Sequence, residues 1–174
     1  MGEIKPAPTA LRFYALTTAE SDLFEETKEI LINRYGDLLL ENKAFDFSAL
    51  THYYAKEMGE KLYKQFFLLK EPISLEKSQL TKLESNLLEE KYSAKGQRRI
   101  NIDPGFLTLF NLTLLSTKGF SHRIYLADGI WSEVTLYVFR GKFTALPWTY
   151  PDYLLPQNLE FLENGRRMLI QALR

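Results

Sequence analysis

The chain has 174 residues, of which 45% are hydrophobic and 25% are charged, and its basic and acidic residues cancel at pH 7. This length and this balance predict one soluble globular domain over residues 1–174. Because the chain has no cysteine, its sequence excludes disulfide frameworks, thiolate metal sites and cysteine nucleophiles.

Neither export nor membrane insertion is indicated. The first twelve residues include Glu3 and two prolines and contain no apolar stretch, so they do not resemble a secretory signal. Elsewhere no apolar run approaches the roughly 18 residues that cross a bilayer. We therefore expect a cytoplasmic protein with no membrane partner.

The first half of the chain alternates between strand and helix patterns. Period-two alternation predicts a strand over 11–17, and an apolar stripe then predicts a helix that stops at Tyr35-Gly36. Two more strands are predicted over 38–47 and 66–73, with an irregular or partly helical excursion between them. Ser74 is a suitable N-cap for a helix that continues to about residue 92.

The second half is mainly β. We predict a strand over 99–103, a turn at Pro104-Gly105 and a short buried helix over 106–116. A meander follows over 122–126, 130–139 and 142–146, with a strong hairpin signal at Asp128-Gly129, and a final helix spans 157–173. This order predicts an α+β fold, a mostly antiparallel sheet with helices packed on it. The topology it favours is a ferredoxin-like β-α-β-β-α-β core extended by the C-terminal β-meander and the final helix.

Charge is divided unevenly between the halves. Residues 1–90 contain 11 basic and 16 acidic residues, whereas residues 91–174 contain 11 basic and 6 acidic residues. The basic excess is typical of solvated helix faces or of a surface that binds phosphate or another anion. The densest basic stretch, 95–99, ends in Arg98 and Arg99.

The hairpin centred on Asp128-Gly129 brings a histidine near a carboxylate. A two-residue turn places Ile124 opposite Glu133, and His122 on the same sheet face as Glu133. Such a pair is an oriented general base, a metal-ligand pair or a cross-strand salt bridge. Arg123 falls on the opposite, core-facing side, where it needs a carboxylate such as Asp103 unless it binds an anion.

Asn101 and Asp103 precede Pro104-Gly105, where the predicted strand meets the predicted helix. Such junctions bind anions and small ligands, but Asp103 would serve equally well as the N-cap of that helix. The spacing of Asp103 and Glu133 does not support a magnesium site. A zinc site would need carboxylates, because His52 and His122 are the two histidines of the chain. We predict no metal site.

The segment 147–153 is a stiff loop with three aromatic residues and two prolines. The rings of Trp148, Tyr150 and Tyr153 either stack on a base or another planar ligand, or cap the open end of the hydrophobic core. The same alternatives apply to Tyr53 and Tyr54 in the excursion.

Several of these stretches together resemble a known bacterial family, number 4416 in the series of domains of unknown function. They are YY…EMG at 53–59, RINIDPG at 99–105, HRIYL…GI…EVTL at 122–136 and PWTYPDY at 147–153. The likeness extends from about residue 11 to residue 161. It implies a bacterial, cytoplasmic, single-domain protein and carries no activity or catalytic residue with it.

Our leading hypothesis is a cleft that binds a phosphorylated or carboxylated small molecule, such as a nucleotide. Arg99 and Arg123 would hold the anion by forked hydrogen bonds. His122 would be the acid or base, oriented by Glu133, and Trp148 or Tyr150 would stack on the ligand. The candidate catalytic residues are His122, Glu133 and Asp103, and the candidate ligand-binding residues are Arg99, Arg123, Asn101, Trp148, Tyr150 and Tyr153.

Two other functions fit the same residues, an RNA-binding module and a protein-interaction domain that uses the 147–153 loop. The sequence has no Walker loop, no G-x-G-x-x-G fingerprint and no G-x-S-x-G elbow. It leaves open the cofactor, the oligomeric state and whether the protein is an enzyme.

Overall fold

A computed structural model describes residues 2–51 and 53–173. Over this part of the chain there are ten β-strands and four α-helices. In order they are β1 Thr9–Thr18, α1 Ser21–Tyr35, β2 Leu38–Glu41, β3 Phe45–Asp46, α2 Ala55–Met58, β4 Tyr63–Leu69, β5 Ile73–Ser74, α3 Gln79–Lys91, β6 Ile100–Leu107, β7 Asn111–Ser116, β8 Ile124–Ala127, β9 Ile130–Phe139, β10 Lys142–Ala145 and α4 Pro156–Ala172. A 3₁₀-helix over Pro151–Leu154 precedes α4.

The strands form one antiparallel sheet in the order β10-β9-β7-β6-β1-β4-β2. The short strands β3, β5 and β8 pair with β4, β1 and β9. The run β6-β1-β4-β2, with α1 and α3 as its helical connections, is the ferredoxin-like core, and β7, β9 and β10 extend it at one edge. The α+β prediction is confirmed.

Helices cover both faces of the sheet, because side chains that alternate along each central strand are apolar on both sides. Tyr14, Leu16 and Phe67 pack with residues of α1 and the C-terminal end of α3. Phe13 and Phe66 pack on the other face with residues of α4 and the 3₁₀-helix. No helix in the described ranges is long and apolar enough to cross a membrane.

Gly165 brings α4 close to the sheet. A Cβ at this position would overlap the Leu68 Cδ1 methyl and touch a methyl of Leu107. The absence of a side chain therefore sets the distance between the helix and strands β4 and β6.

The prediction of a buried helix over 106–116 is wrong. Strand β6 continues through Pro104 and Gly105, and β7 folds back to pair with it from Gly105 to Leu107. Proline followed by glycine is ordinarily a turn signal, but here Gly105 lies so close to β7 that a Cβ would overlap the Thr113 carbonyl oxygen. Tertiary packing overrides the local signal, and Asp103 caps no helix.

Two other boundaries differ from the sequence expectations. The strand predicted over 38–47 is split into β2 and β3. Ser74 is not the N-cap of α3, because it belongs to β5 and pairs with Thr9 of β1, and the helix begins at Gln79. The excursion over 51–62 is partly helical, as expected, and contains α2.

Candidate ligand-binding site

A cavity of about 690 Å³ lies on the same sheet face as α4. Its floor consists of polar side chains from four strands, namely Lys64 of β4, Asp103 of β6, Ser116 of β7 and Glu133 of β9. Its walls come from the described residues of 47–51 and 53–54, from the loop 117–123 and from the segment 150–153. Residues that are far apart in the sequence therefore share one polar space.

The cavity lies where two neighbouring strands separate. Strands β6 and β7 pair only over Gly105–Leu107, so the first part of β6 has no strand partner on that side. Helix α3 supplies the missing hydrogen bonds: the Ile102 N–H donates to Glu89 (2.6 Å), and Lys82 Nζ donates to the Ile102 carbonyl (2.8 Å). This buried pair allows the gap to persist, because no backbone polar group at Ile102 remains unsatisfied.

His122 and Arg123 both contact the same carboxylate. His122 Nε2 lies 3.1 Å from Glu133 Oε2, and Arg123 Nε donates to that oxygen at 2.7 Å. Glu133 is almost fully buried, so its charge is compensated by the guanidinium rather than by water. The predicted proximity of His122 and Glu133 is present in the structure.

The expected register and the expected placement of Arg123 are wrong. Ile124 pairs with Ser132 rather than with Glu133, because the ladder shifts between Tyr125 and Ala127. His122 and Arg123 precede β8, and there the strict alternation of side chains no longer applies. Both side chains therefore turn to the Glu133 side, and Arg123 makes no contact with Asp103.

Most of the donors of Arg123 are used within the protein. Its Nη1 donates to Ser116 Oγ (2.9 Å) and to the Lys118 carbonyl (2.8 Å), and its Nη2 donates to the Tyr150 hydroxyl (3.1 Å). With the Nε bond to Glu133, these contacts join β7, β9, the 117–123 loop and the aromatic segment. Arg123 holds the cavity walls together.

Trp148 contacts His122 instead of lining the cavity. The two rings stack at 4.8 Å with 12° between their planes, and Trp148 Nε1 donates to the Val134 carbonyl (2.8 Å). The indole therefore fixes the plane of the imidazole, and Glu133 fixes its Nε2. Trp148 therefore contacts a residue of the site but does not itself line the cavity.

The two tyrosines of the loop both line the cavity, to different depths. Tyr150 is partly exposed, whereas Tyr153 is 1% exposed and stacks on Phe66 with centroids 4.8 Å apart. The Tyr153 hydroxyl is buried and has no hydrogen-bond partner among the described residues. Tyr153 thus combines both roles expected for the loop, since it closes the core and faces the cavity.

Asn101 and Asp103 lie side by side on the floor. The Asn101 amide donates to Asp103 Oδ2 (2.8 Å), and its carbonyl oxygen accepts from Arg98 Nη1 (2.8 Å). The amide orients the carboxylate and separates it from the guanidinium. Among the residues that the structure describes, no cationic group lies within salt-bridge distance of Asp103.

Arg99 was expected to line the cleft, whereas no place was predicted for its neighbour Arg98. Arg99 lies outside the cavity and pairs with Glu20 at the surface. Arg98 lines the cavity, where its Nε and Nη2 donate to the two carboxylate oxygens of Glu57 (2.7 and 2.8 Å). The sequence marked the right basic stretch, but successive side chains point in different directions.

Besides Lys82 of α3, sequence reasoning missed two other cations of the lining. Lys64 Nζ pairs with Asp152 (2.7 Å) and lies over the ring of Tyr153. Lys118 Nζ donates to the Tyr53 hydroxyl (2.9 Å) and so joins two walls at the rim. The sequence pointed to Tyr53 through its aromatic cluster, whereas nothing in the sequence distinguished these two lysines from surface lysines.

The pKa values of two tyrosines of the cavity are shifted in opposite directions. At the rim, the hydrogen bond from Lys118 lowers the pKa of Tyr53. At the sheet end, burial raises the pKa of Tyr153 strongly, and the nearby carboxylates of Asp152 and Asp103 raise it further. Tyr53 therefore lies beside a cation at the rim, and Tyr153 is buried near two carboxylates at the sheet end.

No cluster of three or more histidine, aspartate or glutamate side chains within 2–51 and 53–173 could hold a metal ion. His52, one of the two histidines considered for a zinc site, lies outside the described residues.

Comparison with known proteins adds one relationship. A family model described as "Domain of unknown function (DUF4416)" matches residues 8–168. This range includes every candidate site residue named above. No curated protein and no solved structure matches the chain.

Proposed function

We propose that this chain, which belongs to the DUF4416 family, binds a small molecule with a phosphoryl or carboxylate group. The observation that carries the proposal is the 690 Å³ cavity with the ammonium of Lys118 at its rim. Sites for small molecules generally enclose about 300–1,000 Å³ and contain a few convergent polar groups. Lys118 has no carboxylate partner among the described residues, so its charge is available to a ligand.

Lys118 takes the role that the sequence suggested for Arg99 and Arg123. Arg99 lies outside the cavity, and the guanidinium of Arg123 is held by Glu133 and by the loop that contains Lys118. In our proposal Arg123 is a positioning residue. It fixes the backbone of the loop from which Lys118 reaches the anion, beside the Tyr53 hydroxyl of the neighbouring wall.

His122 and Glu133 form a wall of the binding site in this proposal. Stacking on Trp148 and contact with Glu133 hold the imidazole in place before any ligand arrives. A prepositioned side chain loses little conformational entropy on binding, which favours affinity. The imidazole is then also suitably placed for proton transfer to a ligand in the cavity.

Two of the three rings of the aromatic segment are unavailable to RNA or to a protein partner, whereas Tyr150 is partly exposed. Trp148 stacks on His122, and Tyr153 is buried against Phe66, so neither ring is free to stack on a base or to anchor a partner. Platforms that bind single strands need exposed ring faces.

A thermal-unfolding screen tests the proposal. Nucleotides, sugar phosphates and small carboxylates are added to the protein, each with and without magnesium. A ligand at 100 times its Kd adds about 2.7 kcal/mol, which raises the midpoint by several degrees for a chain of this length, at roughly 2–4 °C per kcal/mol.

Lys118→Met is the decisive variant, and Lys142→Met, an exposed lysine of β10 outside the cavity, is its matched control. We expect the ligand-induced shift to disappear in the first variant and to persist in the second. A screen in which no anion stabilises the protein, or a shift that survives Lys118→Met, would contradict the proposal.

A further inference from the structure

We infer that the ligand of this cavity also carries a protonated amine, which binds to Asp103 at the sheet end. This inference rests on the proposed function, because it assigns the second group of the molecule whose anion binds at Lys118. The ligand would then be a small zwitterion, such as an amino acid or an amino sugar phosphate.

The pairing of charges inside the cavity points to this class. Lys64, Arg98 and Arg123 each have a carboxylate partner in the protein, at 2.7 Å in every case. Asp103 receives only the neutral amide of Asn101. Among the lining residues described, Asp103 is thus the carboxylate whose charge the protein leaves uncompensated, and Lys118 is its counterpart at the rim.

Tyr54, Tyr150 and Tyr153 line the same cavity as Asp103. Aromatic faces attract cations by about 0.5–2 kcal/mol each, and more strongly where water is excluded. The buried hydroxyl of Tyr153 has no partner among the described residues, so it can accept one N–H of an ammonium while Asp103 accepts another. Because Arg98 and Lys64 already lie over the rings of Tyr54 and Tyr153, the acceptors that suit an amine are the carboxylate of Asp103 and the hydroxyl of Tyr153.

The electrostatics of the tyrosines support the same assignment. The pKa of Tyr54 is raised, first by burial and then by Asp103. Burial is the main cause that raises the pKa of Tyr153, and Asp152, Asp103 and Glu133 raise it further. Both shifts place the carboxylate of Asp103 close to these tyrosines, where an amine would bind.

An amine suits Asp103 better than a hydroxyl for a physical reason. A ligand that fills the cavity displaces the water around this carboxylate, and burying a charge without a counter-charge is costly. A hydroxyl would replace one hydrogen bond and leave the charge uncompensated. An ammonium replaces the hydrogen bond and neutralises the charge.

Matched pairs of ligands that differ only in an amine and a hydroxyl test the inference. Suitable probes are glucosamine 6-phosphate with glucose 6-phosphate, O-phosphoserine with 3-phosphoglycerate, and glutamate with 2-hydroxyglutarate. Their Kd values are measured by calorimetry for the unaltered protein and for Asp103→Asn. We expect the amine to bind at least tenfold more tightly in one pair, and we expect Asp103→Asn to abolish that preference.

Two further variants make the result unambiguous. Asp37→Asn removes an aspartate outside the cavity and should leave the preference unchanged. Tyr153→Phe removes a hydroxyl without a partner among the described residues, so it should fold and bind the amine more weakly. It also keeps the test decisive if Asp103→Asn fails to fold.

The outcomes separate the two proposals. Equal binding of both members of every pair, or a preference that survives Asp103→Asn, would overturn the amine assignment and leave anion binding intact. If no compound of the panel or of the earlier screen bound, the proposed function would fail, and this inference would fail with it.

Discussion

The carboxylate of Glu133 should be the most sensitive single group of the site. Its side chain is 2% exposed and it is the acid partner of Arg123, whose side chain is 11% exposed. Glu133→Gln keeps the shape and one acceptor oxygen but removes the negative charge. The guanidinium would then remain buried with only neutral acceptors, Ser116 Oγ and the Lys118 carbonyl, to compensate it.

The size of the effect follows from this geometry. Removing one partner of a buried ion pair generally costs about 3–5 kcal/mol. Because Arg123 retains neutral acceptors, we expect Glu133→Gln to cost about 3 kcal/mol, the lower end of that range. For a chain of this length the midpoint of thermal unfolding should fall by roughly 6–12 °C, at 2–4 °C per kcal/mol.

Circular dichroism during heating and during urea titration measures this loss, and Glu20→Gln is the matched control. Glu20 also pairs with an arginine, Arg99, but its side chain is 43% exposed. Exposed pairs contribute little to stability, so the control should leave the midpoint nearly unchanged. If Glu133→Gln lowered the midpoint no more than Glu20→Gln, the buried pair would not be what holds the cavity walls together.

Three other perturbations test the packing around the site. Asp152→Asn leaves the buried ammonium of Lys64 without its counter-charge, and we expect a loss of about 3–5 kcal/mol in urea unfolding. Gly165→Ala should lower the stability by about 1–3 kcal/mol, although alanine favours helices, because the new methyl overlaps Leu68; an unchanged midpoint would contradict the close approach of α4. Burial raises the pKa of Glu89, so the folded state binds this proton more tightly than the unfolded chain, and the contribution of Glu89 to stability falls over the pH interval above its ordinary pKa of 4.5. As the pH rises across that interval, the Glu89→Gln variant should therefore become more stable relative to the unaltered protein, which the midpoints of urea unfolding at each pH measure. If the variant instead became relatively less stable, the folded protein would stabilise the ionised form of Glu89.

Much of the fold was predictable because its signals are local. Period-two alternation identified β1 and the meander strands, and the Asp128-Gly129 turn identified the β8–β9 hairpin, since a turn of this type depends on four consecutive residues. The order of these elements was enough to predict the ferredoxin-like core. The local rule failed at Pro104-Gly105, where close packing against β7 keeps the chain extended.

The composition of the site was predictable only in part. His122 and Glu133 could be brought together from the sequence because one hairpin joins them. Arg98 and Arg99 could not be told apart, because the direction of each side chain depends on how the chain enters β6. Lys64 and Lys118 carry no sequence signal, and only the fold brings them to the cavity.

The sequence by itself determined the α+β class, the order of the elements of the ferredoxin-like core, and the proximity of a histidine to a carboxylate. The tertiary structure decided where the cavity lies. Strands β6 and β7 do not pair on the N-terminal side of Gly105, and Lys82 and Glu89 of α3 bond to the free edge of β6 at Ile102. It also decided which charges are paired and which, like that of Asp103, have no cationic partner among the described residues. Such pairing depends on distances of a few ångströms between distant parts of the chain, and these distances exist only once the layers have packed.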